Sequence, residues 1–430
     1  MTRRCLVLSA SMGAGHDTVA AELARRLRAR GHDVHLHDVL ALLPPGTGPA
    51  LRGFYRTAVR RAPVLYTAIY RVFLAAPPPR PDGARAVPHA DTSPLAVSAE
   101  RPLATLVERL RPDVVVSTFH LAAQITGRMR ERGALRIPSA VYVTDFAVHR
   151  GWLHPGNDLY LCVSDGAAAA ARTGAGRRTL APGPVVPPAF HPAGQPFDAG
   201  VTAAPADPAG PLHPGTPAPA ASPTDPGGPS HPRGPSRPAG AADPGDGGAP
   251  GRPTGPPDPD RPTVLLSAGA WGVGSALPRT AGALVRHGLR PVVLCGRDER
   301  LRRRTARVPG AVALGWTDDL PGLMASARLL VDNAAGQTAV QALAAGLPVV
   351  GYRPIPGHGA DGVRHMAAEG ITTAAADLPA LLAAADLLVP DGPARDRQTA
   401  LGRALFREDA AALVAALATP TAHDRADGGV

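Results

Sequence analysis

A buried-type run, Leu329-Leu330-Val331-Asp332, ends in a turn at Asn333 and Gly336. A helix follows with Val340, Leu343 and Ala344 on one face, and Gly346 stops it before a second apolar run, Pro348 to Tyr352. Strand, turn, helix and strand in that order leave little choice but a parallel sheet. The loop at the strand's C-terminal end then meets the free N–H groups of a helix N-terminus, where an anionic ligand is held.

The same rhythm recurs along the chain. Cys5-Leu6-Val7-Leu8 leads through the glycine-rich turn Ser9 to His16 into a helix with Ala20, Leu23, Ala24 and Leu27 on one face. Val34 and Leu36 alternate as the next strand. Val114-Val115-Val116, Ala140 to Val143 and Leu159 to Val163 each end in polar residues. In the second half Val264-Leu265-Leu266 enters the glycine-rich turn Ser267 to Ser275, and runs at 291–296 and 312–316 follow. Helices are expected around 378–388 and 395–418.

Between the halves the rhythm breaks. Of residues 201–260, eighteen are proline and eleven glycine, and the only large aliphatics are Val201 and Leu212. Such a stretch buries too little surface to offset the entropy of ordering. The expectation is an α/β protein of two Rossmann-like doubly wound domains, at 1–194 and 262–420, facing each other across a cleft. A disordered Pro/Gly-rich insert lies at 195–261 and a disordered tail at 421–430. Residues 76–98 read as a mobile loop.

Membrane-spanning helices are excluded, because no run reaches about 18 apolar residues. The N-terminus runs straight into a strand, which reads as a cytoplasmic protein without a signal peptide. Cys5, Cys162 and Cys295 sit singly in apolar runs and read as buried free thiols. The formal charge of +10 suits nucleic acid and suits an anionic membrane surface equally. One segment tips the balance. Residues 39–81 hold no acid but Arg52, Arg56, Arg60, Arg61, Arg71 and Arg80, with five of the chain's sixteen aromatics between Phe54 and Phe73. Tyr66, Ile69, Tyr70 and Phe73 recur at helical spacing. Alone, such a stripe reads as core; without acids it reads as an interfacial element docking on a membrane and admitting a lipid, with no nucleic acid partner.

Chemistry concentrates at the strand ends. His16 directly follows Gly13 and Gly15 at a helix start, where imidazole is held neutral; a general base and a capping side chain are equally open there. His120, Asp145, His149, Trp152 and His154 are candidates for the same cleft. The spacing of these histidines matches no standard zinc pattern. The glycines of 269–274 suit either a diphosphate or a tight turn packed on Trp271.

The motifs together resemble one glycosyltransferase branch with the two-Rossmann-domain architecture called GT-B. It comprises monogalactosyldiacylglycerol synthases, processive diacylglycerol glucosyltransferases and the lipid-linked N-acetylglucosaminyltransferase of peptidoglycan synthesis (glycosyltransferase family 28-like). Ser9 to His16 is similar to that family's N-terminal loop, whose histidine is implicated in activating the acceptor hydroxyl. Pro63-Val64-Leu65-Tyr66 with Tyr70 resembles its membrane-side segment, and Val143-Thr144-Asp145 with His149, Trp152 and His154 its central block. Gly269, Gly272 and Gly274 fall on the turn facing the nucleotide phosphates, Trp316 beside the base, and Gly336, Gln337, Thr338 and Gln341 on the phosphate and ribose helix. Two departures stand out. Gln341 replaces the usual ribose-gripping glutamate, and Pro356-Gly357-His358-Gly359 replaces a PGQE-type sugar loop.

The resemblance implies hexose or N-acetylhexosamine transfer from a nucleoside diphosphate sugar, such as a UDP-sugar, to a membrane lipid. It further implies inversion, catalysis by His16 and Asp145, no metal or cofactor, and a peripheral position on the inner face of the cell membrane. The rival readings are a nucleotide-sugar epimerase on the same fold and a non-catalytic nucleotide-sugar-binding protein.

Overall fold

The structure, a computed structural model, describes residues 2–74, 93–192, 261–274 and 276–418, and of Arg61, Pro63 and Phe73 only the backbone. Residues 195–260 of the expected insert, the tail 421–430 and most of the expected loop at 76–98 lie outside the described residues. The last residues of that loop, from Pro94, form the first turn of a helix.

The N-terminal lobe runs β1 (Arg4–Ser9), α1 (Ala14–Ala29), β2 (Asp33–Asp38), α2 (Thr47–Arg61), α3 (Pro63–Ile69), α4 (Pro94–Leu110), β3 (Val114–Ser117), α5 (His120–Glu131), β4 (Ser139–Val143), β5 (Leu159–Cys162), α6 (Asp165–Ala175) and β6 (Arg178–Leu180). The C-terminal lobe runs β7 (Thr263–Ser267), α7 (Leu277–Arg286), β8 (Arg290–Leu294), α8 (Glu299–Thr305), β9 (Val312–Leu314), α9 (Leu320–Ala325), β10 (Leu329–Asp332), α10 (Gln337–Ala344), β11 (Val349–Tyr352), α11 (His358–Ala368), β12 (Thr373–Ala375), α12 (Leu378–Leu388), α13 (Pro393–Arg403) and α14 (Ala410–Leu417).

Each lobe is one six-stranded parallel sheet, ordered β2-β1-β3-β4-β5-β6 and β12-β11-β10-β7-β8-β9. Strands buried on both faces explain the unbroken apolar runs, and all of β3, β4 and β5 is buried. The two doubly wound domains expected from the sequence are therefore present. The strand order reverses between β1 and β3 and again between β7 and β10, where β1 pairs β3 with Leu8 opposite Ser117, and β10 pairs β7 with Val331 opposite Leu266. In such sheets ligands bind in the crevice beyond the strand ends at the reversal. That crevice is bounded here by the loops after β1, β3, β7 and β10.

The three cysteines are free and buried, as expected. The expected closing helix at 395–418 is broken in two. Arg407 and Glu408 N–H groups both donate to the Pro182 carbonyl, which pulls the chain back across to the N-terminal lobe, and the Asp409 carboxylate then caps α14 through Ala411 N. α14 packs on α1 in one apolar cluster with Leu23 and Val414, and Arg30 bridges to Asp409 at 2.8 Å.

Candidate active site

α1 begins at Ala14 because Gly13 is extended and offers no side-chain acceptor, so the first-turn N–H groups stay free. Asp17 in the first turn and Arg26 and Arg28 in the last suit the helix dipole. His16, in that first turn, is half-buried at the sheet reversal. Its Nδ1 lies 3.1 Å from the Thr118 carbonyl oxygen, just past β3, and 3.3 Å from Thr144 Oγ1, just past β4. A carbonyl only accepts, so Nδ1 carries the proton and Nε2 keeps its lone pair. Burial, the largest influence, lowers the His16 pKa and keeps the ring neutral. Thr118 and Thr144 both lie outside its helix, so the ring binds neighbouring strand ends and does not cap α1.

Asp145 is held from two sides. Trp152 Nε1 donates to its Oδ2 at 2.8 Å, and His149 Nε2 lies 3.5 Å from the same oxygen. His149 Nδ1 accepts from Gly151 N, which puts the His149 proton on Nε2, facing the carboxylate. Burial raises the Asp145 pKa, but His149, His16, His358 and Trp152 together outweigh it and the carboxylate stays low. Burial pushes His149 down to about 4 and His120 well below the usual histidine range. The rings of His120 and His149 meet at 5.2 Å, and Trp152, wholly buried, is the floor beneath them.

The sequence pattern grouped His154 with these residues, and the structure separates it. It is fully buried under α5, its ring so close to Gly127 that a Cβ there would meet it at 2.5 Å, and its Nδ1 accepts from Gly156 N. It is a core residue away from the cleft.

The C-terminal wall presents main chain. α10 starts at Gly336 without a side-chain cap, leaving the N–H groups of Gln337, Thr338 and Ala339 without helical acceptors. α11 starts at Gly357 in the same way, with His358 as its first residue. Gly15 faces α10 so closely that a Cβ there would lie 3.5 Å from the Gln337 Cβ, and Gln337 Nε2 donates to the Val185 carbonyl of the other lobe. The uncapped ends of α1 and α10 thus look at each other across a narrow gap. Thr338 is half-buried in the first turn of α10, and Gln341 is buried one turn on. Trp316 is 49% exposed, with the Arg297 guanidinium 4.6 Å above its ring, a flat plate open to an aromatic ligand.

The glycine-rich turn of 269–274 works mostly for itself. Gly269 N–H donates to Ser267 Oγ, Gly272 N–H to Gly269 O and Val273 N–H to Ala268 O. Gly272 has φ +64° and no room for a Cβ, which would lie 2.3 Å from that of Asp298. Of the three glycines, Gly274 alone has no N–H partner within the turn.

The largest correction concerns the aromatic stripe. Tyr66 and Tyr70 do not face outward: both are buried, at 7% and 3% exposure, against the C-terminal lobe. The Tyr66 hydroxyl meets His358 Nδ1, and Tyr70 OH donates to Asp361 at 3.0 Å. Two arginines of α2 turn the same way, Arg60 paired to Asp298 and Arg56 lying 5.5 Å from the Trp271 ring centre, while Arg52 stays with Asp38 of its own lobe. Ala58, Val59 and Tyr66 pack with Val273 and Ile355. Part of the acid-free stretch, Arg60 and Tyr70, thus meets acids of the other lobe. The Phe73 side chain lies outside the described residues. Among the described residues of this segment, the large apolar side chains that face outward are Val64 (82% exposed) and Val72 (62%), with Leu65 and the aromatic Phe54 half exposed.

Two doubly wound lobes meeting at their sheet reversals define the GT-B fold. The glycosyltransferase SnogD from Streptomyces nogalater superposes over 97% of this chain and 100% of its own, at TM-score 0.55 and 15% identity. The Acinetobacter baumannii MurG structure does so over 97% and 99%, at TM-score 0.51 and 13% identity. Residues 16–181 match the family described as Monogalactosyldiacylglycerol (MGDG) synthase, in line with the resemblance over the N-terminal lobe. The processive diacylglycerol beta-glucosyltransferase of Staphylococcus carnosus (strain TM300) is 30% identical over 120 residues, 26% of this chain and 31% of that protein. The same enzyme of Staphylococcus aureus (strain Newman) is 32% identical over 112 residues, 23% and 27%. The chain thus spans less than a third of the length of these curated relatives.

Proposed function

We propose that the protein transfers a hexosyl or N-acetylhexosaminyl group from a nucleoside diphosphate sugar to the hydroxyl of a membrane lipid. The observation that carries this is His16: a neutral imidazole with Nδ1 tied to the Thr118 carbonyl and Nε2 left to accept, at the mouth of a gap whose far wall is uncapped helix N-termini. The acceptor hydroxyl gives its proton to Nε2 as its oxygen bonds to the anomeric carbon. The bond from that carbon to the diphosphate breaks, and the leaving nucleoside diphosphate takes the electron pair. The free N–H groups of Gln337, Thr338 and Ala339, with Gly274, stabilise that charge, so the reaction needs no metal or cofactor. Attack from the wall opposite the diphosphate inverts the anomeric centre. Asp145 stabilises the imidazolium while Trp152 and His149 hold it in place, and Trp316 stacks on the base.

The relatives named as processive diacylglycerol beta-glucosyltransferases favour diacylglycerol as acceptor. Among the described residues no helix is long and apolar enough to cross a membrane, and the exposed Val64, Leu65 and Val72 beside Arg71 form the surface that rests on the bilayer. The test is incubation of the full chain with diacylglycerol vesicles and a panel of labelled nucleotide sugars. Transfer from at least one donor is expected; neither transfer nor hydrolysis with any of them ends the enzyme reading. In flotation, Val64→Ser with Leu65→Ser and Val72→Ser should release the protein from anionic vesicles. Equal flotation of parent and variant removes the docking surface.

A further inference from the structure

The first turn of α11 sits on two rings that belong to the opposite lobe. Gly357, at φ +80°, leaves so little room that a Cβ there would come within 3.0 Å of Tyr70 Cγ and 3.2 Å of Tyr66 Cε1. The Tyr66 hydroxyl is 2.5 Å from His358 Nδ1, with the two rings edge to face at 5.9 Å. Tyr70 OH donates to Asp361 one turn further along α11. Two hydrogen bonds and a close-packed glycine therefore fix this turn from across the cleft.

The Tyr66 hydroxyl also bonds with Tyr55, and relative basicity decides which partner takes its proton, imidazole nitrogen being a stronger base than a phenol oxygen. Phenol is the stronger acid of the pair and the imidazole nitrogen the stronger base, so O–H donating to Nδ1 is the stronger arrangement. Burial raises Tyr66 and lowers His358, which keeps phenol protonated and imidazole neutral. With Nδ1 accepting, the single ring proton sits on Nε2. That atom has no hydrogen-bond partner among the described residues, and the ring belongs to the first residue of α11, at its uncapped start.

We infer that Tyr66 is a positioning residue, supplied by the acceptor lobe, that fixes His358 as an Nε2–H donor to a hydroxyl or carbonyl oxygen of the sugar carried on the nucleoside diphosphate. The inference rests on the proposed function. Its consequence is that sugar reading depends on lobe closure. With the lobes apart His358 loses Tyr66, and its two neutral tautomers, close in energy, interconvert.

The test uses the full chain with 15N-labelled histidine. Long-range 1H–15N spectra, with the His358 signal assigned by its loss in His358→Gln, should show the Nε2–H pattern, and Tyr66→Phe should give a mixture of tautomers. Calorimetric titrations with uridine, thymidine and guanosine diphosphates, each free and as its glucose ester, supply the second readout. Tyr66→Phe should weaken the glucose ester that binds by about tenfold and leave the free diphosphate within about twofold. In the His358→Gln background, where no tautomer choice remains, adding Tyr66→Phe should change nothing further. An Nδ1–H pattern in the unaltered protein overturns the inference. So does an equal loss for free and glucosylated diphosphate, or the same cost of Tyr66→Phe in both backgrounds. Failure of every diphosphate to bind the unaltered protein instead overturns the proposed function and with it the ligand, while the spectra still decide whether Tyr66 orients His358.

Discussion

The two walls of the cleft solve different problems with different parts of the chain. The N-terminal wall is built of side chains that titrate, His16, His120, Asp145 and His149, each tied to a neighbour or packed ring on ring. The C-terminal wall is mostly main chain, the uncapped starts of α10 and α11, with the His358 ring and the Trp316 plate as its side chains. Proton transfer needs a group whose charge changes, and that calls for a particular residue at one place. Holding a diphosphate needs many weak donors in a fixed array, which a helix start supplies from almost any sequence. Single substitutions should therefore be severe on the first wall and graded on the second.

The most damaging expected change is His16→Ala. Loss of general-base help costs about 10²- to 10⁴-fold in kcat, with donor affinity intact; a matching fall in donor affinity measured by calorimetry would move His16 to the other side of the contrast. Next is pH. His149 is lowered from 6.5 to about 4 in the folded protein, so as pH falls the unfolded chain binds the proton first. The stability that is present above pH 6.5 is lost progressively between 6.5 and 4, by about 3 kcal/mol at ~1.4 kcal/mol per unit. Urea unfolding at pH 7 and pH 4.5 should show that loss, and His149→Asn should shrink it. On the other wall, Gly272→Ala forces a Cβ into the Asp298 side chain at positive φ. It should cost about 1–3 kcal/mol of stability, read from the unfolding midpoint. Smallest is Trp316→Ala, which removes one stacking face and should weaken nucleotide binding about fivefold, or ~1 kcal/mol, without altering kcat.

The fold was legible because strands buried on both faces leave no polar alternation to misread, as in Val114-Val115-Val116. The place of His16 at the sheet reversal was legible as well, since a histidine straight after a glycine turn at a strand end lies where the strand order reverses. The carbonyl of Thr118 that orients it was not, because it lies 102 residues away and every residue has a carbonyl. Periodicity found the apolar face of Tyr66 and Tyr70 but not what covers it. The cover, His358 and Asp361, comes from another lobe, and the arginines that suggested a lipid surface answer in part to Asp298. His149 and His154 look alike in sequence; Gly127 in the middle of α5 lies against the ring of His154, while His149 meets His120 at the start of the same helix.

The return of α14 to the first lobe bears on how the polypeptide is made. Leu23 and Leu27 of α1 share their apolar cluster with Val414, and Arg26 and Arg30 both reach Asp409. On a ribosome the opening lobe therefore emerges hundreds of residues before the helix that completes its surface. Until α14 has been made, that face of α1 stands uncovered, and a chain that stops short of residue 410 leaves it so for good.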